Sequence, residues 1–206
     1  MKYKLTQKQP LYRGFFQLDR YSIEHERFQG GMMKLEREHL ERGKGVAVLL
    51  YDEDCDEVLL IEQFRIGAAV CKDKPWLIEV VAGMIDDGED AETAGRRECL
   101  EEVGYQPTSM TYLGKYYSTP GGSSEHITVY LGFIDKSKPI HDGGGIVGEH
   151  EDIRRFWLSR HEAMAWVKNG KINSGAPMLA IMLAFGWQGV ISTKHQLATL
   201  KTEQVS

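Results

Sequence analysis

Apolar residues recur along the chain with two different periods. The run 46–51 (VAVLLY) is continuously apolar and predicts a strand buried on both faces. A polar turn follows at 52–56, and 58–61 reads as the return strand, carrying on to Gln63 and Arg65. After a loop, 76–82 predicts another strand, and 110–117 and 128–134 two more. Upstream, Phe16, Leu18, Tyr21 and Ile23 roughly alternate with polar residues, as in a half-buried strand. Gln29-Gly30-Gly31 signals a hairpin, and the alternation restarts at Met32. So few strands bury little by themselves. The lead-in 11–42 must therefore pack on the main domain or on a second copy of the chain.

Helical signals sit between and after these strands. In 83–105 (GMIDDGEDAETAGRRECLEEVGY) the second half predicts a helix, with Asp90 as N-cap, Glu92 in the first turn and Gly104 as the stop. Ser159-x-x-Glu162 is a capping box that opens a helix to about Lys168, ended by Asn169-Gly170. Pro177 fits the first turn of another helix, MLAIMLAFGW. The expected architecture is an α/β sandwich with a mixed sheet. The expected organisation is a β-strand region at 1–42, a main domain at 43–189, and a polar tail at 190–206 that frays.

Composition narrows the setting. The chain has 206 residues, 42% hydrophobic and 27% charged, with a net charge of −5 and a pI near 5.8. That balance argues against a nucleic-acid binder, which needs a basic face. It leaves room for a phosphorylated small molecule if metals supply positive charge. The three cysteines, Cys55, Cys71 and Cys99, have no C-x-x-C spacing and fit a reducing, cytoplasmic setting rather than a disulfide framework or zinc site. The opening MKYKLTQKQP lacks the apolar core of a signal peptide, and no apolar run reaches the length of a membrane span.

The helix in 83–105 carries the candidate chemistry. Glu98 and Glu102 are four apart and project from one side. They repel each other and have no evident counter-ion at that spacing, whereas divalent hard cations want such oxygens and keep water for substrate phosphates. Glu101 adds a third acid, and Arg97 or Arg96 could hold one in place. Ala91, Ala94 and Gly95 fall on the Glu98/Glu102 side, so something approaches closely there, expected to be the loop from Gly83 with Gly83 and Gly88 as its turns. An E-x-x-E-E run by itself is more often a solvated acidic helix; the surrounding glycines, acids and arginine shift the balance.

Three other places invite a chemical reading. The turn cluster Thr119-Pro120-Gly121-Gly122 links two strands. The segment 141–152 (HDGGGIVGEHED) is glycine-rich and then acidic: a plain surface loop, or a lid that brings Glu149, Glu151 or His150 over a site as a base. Arg37, Arg42 and Arg65 are solvated charges or clamps for phosphate or carboxylate.

The stretch 83–105 resembles the signature of the Nudix hydrolases. Gly83, Glu89, Arg97, Glu98, Glu101, Glu102 and Gly104 fall on register, while Cys99 and Tyr105 stand at its two aliphatic positions. LYRGFF (11–16), Arg37-Glu38, Arg42-Gly43, EQFRI (62–66) and GEHEDI (148–153) are similar to bacterial ADP-ribose pyrophosphatases, over roughly 11–187. Pro120, sixteen past Gly104, matches a proline of Nudix enzymes that act on ADP-ribose.

The resemblance implies a Nudix fold with a small N-terminal β-sheet, and Mg²⁺-dependent hydrolysis of ADP-ribose to AMP and ribose 5-phosphate, with Mn²⁺ as the other ion. Another nucleoside diphosphate sugar such as GDP-mannose is the alternative substrate, and a non-hydrolysing nucleotide sensor the alternative role. It implies metal binding by the Ala82 carbonyl, Glu98, Glu102 and Glu151, and Glu149 as the base. It implies substrate contacts at Phe15 or Phe16, Arg37, Glu38, Arg42, Arg65, Met84, Thr119, Pro120, Gly121 and Glu125. It also implies a homodimer that exchanges its N-terminal strands.

Overall fold

The computed structural model describes residues 1–145 and 152–186. The chain divides into two compact units, one of residues 1–45 with 116–127 and one of 46–115 with the chain from 128 onward. The first unit contains a three-stranded antiparallel sheet of β1 (Tyr3–Arg13), β2 (Gln17–Glu26) and β3 (Met32–Glu41), in that order. The β2–β3 hairpin turns where expected: Gly30 and Gly31 have φ of 83° and 80°, values a side chain resists. Strand β1 begins well before residue 11 and was not legible. Its residues are all exposed, so it has no buried face to impose an alternation. It is held by its ladder to β2 and by Lys8 and Arg13, which both pair with the buried carboxylate of Asp19.

The segment 116–127 joins this unit although it lies between two core strands in the sequence. Leu40 N–H donates to the Gly122 carbonyl at 2.8 Å, Ser124 N–H to the Leu40 carbonyl at 3.3 Å, and Arg42 N–H to Ser124 Oγ at 3.2 Å.

The second unit is built on a seven-stranded sheet. Its strands are β4 (Lys44–Asp52), β5 (Glu57–Phe64), β6 (Trp76–Glu79), β7 (Val81–Met84), β8 (Ser109–Tyr117), β9 (His126–Phe133) and β10 (Arg154–Ser159). The order is β10-β5-β4-β9-β8, with β6 also on β5 and β7 also on β4. The single strand expected at 76–82 is thus two strands with different partners, broken at Val80. Among the described residues four α-helices complete the unit: α1 (Ile66–Val70), α2 (Ala91–Val103), α3 (Arg160–Lys168) and α4 (Gly175–Ile181).

Strand β4 is buried on both faces, as its apolar run requires. Val46, Val48 and Leu50 pack with Leu59, Ile61 and with Ala94, Cys99 and Val103 of α2. On the other face the Tyr51 ring meets Phe185 at 5.2 Å, in a π-helical turn at Met182–Gly186 that continues α4. Each fully buried Val or Leu contributes about 1.5–3 kcal/mol. The result is the α/β sandwich that the element pattern predicts.

Helix α3 starts at Ser159, which accepts from Glu162 N–H at 3.2 Å and whose hydroxyl donates to Glu162 Oε2 at 2.7 Å. Helix α4 starts at Gly175, earlier than expected, with Pro177 in its first turn. The expected end at Trp187 and the polar tail lie outside the described residues. No helix among the described residues is long and apolar enough to cross a membrane.

Gly95 corrects one expectation. A Cβ there would lie 2.9 Å from Val48 Cγ2 and 3.2 Å from Val46 Cγ2, so this glycine lets α2 settle on β4, while the approach of the Gly83 segment to the helix is made at Glu98 instead. We expect Gly95→Leu to overpack this contact and cost about 2–3 kcal/mol in urea unfolding. An unchanged midpoint would show that α2 does not rest on β4 there.

Candidate active site

Helix α2 is fixed at both ends by local chemistry. The Asp90 side chain accepts from Glu92 N–H and Thr93 N–H, both at 3.0 Å. Gly104 adopts the left-handed conformation, φ 73°, and donates to the Leu100 carbonyl while Tyr105 N–H donates to Cys99. Gly88 supplies a turn before the helix with φ 88°.

Arg97 ties the loop before α2 to the helix. Its Nε and Nη2 form a fork on the Glu89 carboxylate at 3.2 and 3.1 Å. Nη1 donates to Glu98 Oε1 at 2.8 Å and to Glu101 Oε2 at 3.1 Å, and Nη2 donates to the Met84 carbonyl at 3.1 Å. The hydrogen bond from Arg97 holds the Glu89 carboxyl below its usual range. In turn, the bonds to Glu89 first, then the charge of Glu98, push the guanidinium further toward its charged form. Glu98 therefore has a counter-ion, contrary to the expectation from spacing. Arg96 is committed elsewhere, to Glu92 at 2.7 Å and the Pro107 carbonyl at 2.6 Å.

Strand β7 brings backbone against the two carboxylates. A Cβ on Gly83 would lie 1.9 Å from Glu98 Oε1. Gly83 is thus needed for space, and does not form the turn expected of it. The next residue back, Ala82, donates its N–H to Glu102 Oε2 at 3.4 Å. Glu102 is only 3% exposed, an unusual place for a carboxylate. Between the two acids, burial pushes the Cys99 thiol far above its usual range, with the charges of Glu102 and Glu98 adding to the effect.

This donor set suits a hard divalent cation. It offers carboxylate oxygens beside partly exposed backbone, and the Cys99 thiol stays protonated. Among the described residues no three His, Cys, Asp or Glu side chains converge as a metal cage. Two carboxylates with the remaining positions left to backbone, water and substrate are the pattern that Mg²⁺ prefers.

The other expected residues fall into separate groups. In the second unit, Arg65 Nε pairs with Glu79 Oε2 at 2.7 Å, and Ser174 donates to Glu79 Oε1 at 3.4 Å. In the first unit, Arg42 Nε donates to Glu125 Oε1 at 3.1 Å, and its guanidinium stands 4.8 Å from the centroid of Phe16. Phe15 packs edge-on against Phe16 and is 93% exposed, so its face is open to a ligand. Arg37, Glu38, Pro120 and Gly121 line one cavity of about 370 Å³. The Thr119 carbonyl accepts from Gly122 and Ser123 and shapes the turn beside it. Glu149, His150 and Glu151 lie outside the described residues. Sequence reasoning missed Glu79 as the partner of Arg65, and His39 as a wall of the cavity; neither stands in a motif or a regular spacing.

Comparison with known proteins agrees with this geometry. The family model of the NUDIX domain matches residues 41–179. The ADP-ribose pyrophosphatase of Escherichia coli (strain K12) is 40% identical over 181 residues, which cover 86% of this chain and 85% of that one. The ADP-ribose pyrophosphatase of Haemophilus influenzae is 38% identical over 180 residues, covering 84% and 82%. The GDP-mannose pyrophosphatase of Citrobacter koseri is 33% identical over 181 residues, covering 87% and 93%. A crystal structure of an ADP compounds hydrolase superposes with a TM-score of 0.71 at 20% identity, covering 93% of this chain and 98% of that one, which shows a shared fold.

Gly83→Ala separates the site from the fold. The atoms nearest to the added methyl are all at the far end of the Glu98 side chain, which can swing away. We expect the thermal midpoint to stay within a few degrees while Mn²⁺ affinity, measured by calorimetry, falls at least tenfold. Equal affinity in both proteins would remove Glu98 from the metal site.

Proposed function

The chain belongs to the NUDIX domain family, and from that premise we propose that it hydrolyses the diphosphate bond of ADP-ribose, releasing AMP and ribose 5-phosphate. The observation that carries this reading is the pair Glu98 and Glu102, presented on a capped helix, steadied by Arg97 and opposed by a glycine strand. Relatives named ADP-ribose pyrophosphatase at 40% identity favour ADP-ribose as substrate. Relatives named GDP-mannose pyrophosphatase at 33% identity support a nucleoside diphosphate sugar of that kind as the second reading. A non-hydrolysing sensor fits less well, because this chain keeps every acid of the signature.

Glu98, Glu102 and the Ala82 carbonyl would hold Mg²⁺, or Mn²⁺ in its place, with Glu151 as a further ligand. When bound, the metal neutralises the diphosphate oxygens and lowers the pKa of coordinated water. Water attacks one phosphorus, the bond from that phosphorus to the bridging oxygen breaks, and Glu149 takes the proton from the attacking water. Glu98 and Glu102 are occupied with metal in this scheme, which is why the base comes from elsewhere. Arg97 keeps Glu98 oriented, so that little reorganisation remains for the reacting complex. In the first unit Phe15 or Phe16, Arg37, Glu38, Arg42, Thr119, Pro120, Gly121 and Glu125 are the residues proposed to contact substrate; in the second unit they are Arg65 and Met84.

The N-terminal strands support a homodimer in which they cross to the partner. β1 is an edge strand with every residue exposed, and Tyr3, Leu5 and Tyr12 lie 75%, 54% and 58% exposed along it. The free cysteines favour a reducing, cytoplasmic setting.

Two measurements test this function. Purified protein with Mg²⁺, assayed against a panel of diphosphate compounds, should turn over ADP-ribose fastest. In that assay Glu98→Gln and Glu102→Gln should each lower kcat a hundredfold or more, about 3 kcal/mol of transition-state stabilisation. Stability without metal should hold or rise for Glu102→Gln, where a buried charge is removed, and hold or fall for Glu98→Gln, where an ion pair is lost. Near-normal turnover of both variants at saturating Mg²⁺ would sink the assignment. Separately, sedimentation of the intact chain at micromolar concentration should give a dimer, and deletion of residues 1–42 a monomer with weakened ADP-ribose binding; a monomeric intact chain would end the exchanged-strand proposal.

A further inference from the structure

The cavity of about 370 Å³ in the first unit is lined in part by residues that the proposed function does not use. His39 lines it beside Tyr21, Arg37, Glu38 and the Pro120-Gly121-Gly122 turn. We infer that His39 contacts the nucleobase of the substrate, donating a hydrogen bond from Nε2 to an acceptor atom of the base, and so sets the preference among bases. The inference rests on the reading of this protein as a nucleoside diphosphate hydrolase.

His39 Nδ1 is shut off from solvent and has no hydrogen-bond partner. Asp19, opposite His39 in the ladder, is committed to Lys8 and Arg13. A buried N–H without an acceptor is a costlier and rarer defect than an unfilled lone pair. The neutral ring therefore carries its proton on Nε2. The ring is also held in place, edge-on to Tyr21 at 5.7 Å and 85°.

Tyr21 pairs with Arg37 across the ladder, so Tyr21, Arg37 and His39 share one face of the sheet. Arg37 spends one N–H on the Glu36 carbonyl at 2.8 Å and keeps the rest of its planar guanidinium for a ligand. Glu38 is engaged by Arg20 at 3.1 Å. The groups on offer are thus apolar side chains (Leu5 and Ile23), flat surfaces and donors, with Glu38 already paired. A purine is flat and rich in ring-nitrogen acceptors. A phosphate fits less well, with the Glu38 carboxylate in the wall. Beyond Gly121 and Gly122 a Cβ would meet nothing within 4 Å, so that side has room for a ring to enter. The volume lies within the range of small-molecule sites.

The experiment titrates AMP, without metal, into wild type, His39→Leu and His39→Gln, and measures kcat and KM for ADP-ribose with Mg²⁺. His39→Leu should weaken AMP about tenfold, the loss of one hydrogen bond, and raise KM for ADP-ribose similarly while kcat stays within twofold. His39→Gln, whose amide donates at similar reach, should recover most of the affinity. Should leucine not be accommodated, His39→Ala carries the same expectation. Equal AMP affinity in wild type and His39→Leu, or no AMP binding by wild type, would overturn the inference, as would a fall in kcat with KM unchanged. ADP-ribose left intact by a wild type whose AMP binding depends on His39 would overturn the proposed function instead.

Discussion

The site depends on one cation. Arg97 reaches two segments at once, Glu89 and Met84 in the approach to α2, and Glu98 and Glu101 on the helix itself. Four acids within a turn or two of one another, Glu89, Glu98, Glu101 and Glu102, would repel in its absence. A guanidinium can meet three of them because its five donors spread in a fixed plane. Lysine, a point charge on a flexible stem, has no such fork. The same bonds that keep the loop on the helix also orient Glu98, so the order of the site follows from an interaction that is itself structural.

Packing sets the remaining conditions. Helix α2 must lie close to the sheet and close to β7, and a glycine serves each approach. Gly95 brings the helix onto Val46 and Val48, while Gly83 leaves space for the Glu98 carboxylate. Glu102, nearly buried beside Ala82, is a carboxylate that burial penalises, and the proposed divalent ion would offset that penalty. The core around β4 supplies the rigidity that keeps these distances.

Much of this was legible because it is local. Asp90, Gly104, Ser159 and the spacing of Glu98 and Glu102 act over one or two turns of helix, and their patterns sit in consecutive residues. The buried β4 announces itself in an unbroken apolar run. The remainder is decided by residues far apart in the chain. The purpose of Gly83 depends on a side chain fifteen positions later, and Glu79 as the partner of Arg65 depends on how β6 pairs with β5. The break at Val80 depends on two different neighbours, β5 and β4. Strand β1 gave no signal because none of its residues is buried, and 116–127 reads as part of the main domain until its bonds to Leu40 are seen. His39 stands in no motif; only the cavity shows it.

The most direct test of the central claim is Mn²⁺ affinity in Arg97→Lys, measured by calorimetry beside its thermal unfolding and its turnover of ADP-ribose. Lysine keeps the charge and removes the fork. The account predicts a folded protein whose metal affinity and kcat both fall more than tenfold, because Glu98 is no longer held. A variant that binds metal and turns over as the wild type does would contradict it, and would show that the carboxylates find their places without Arg97.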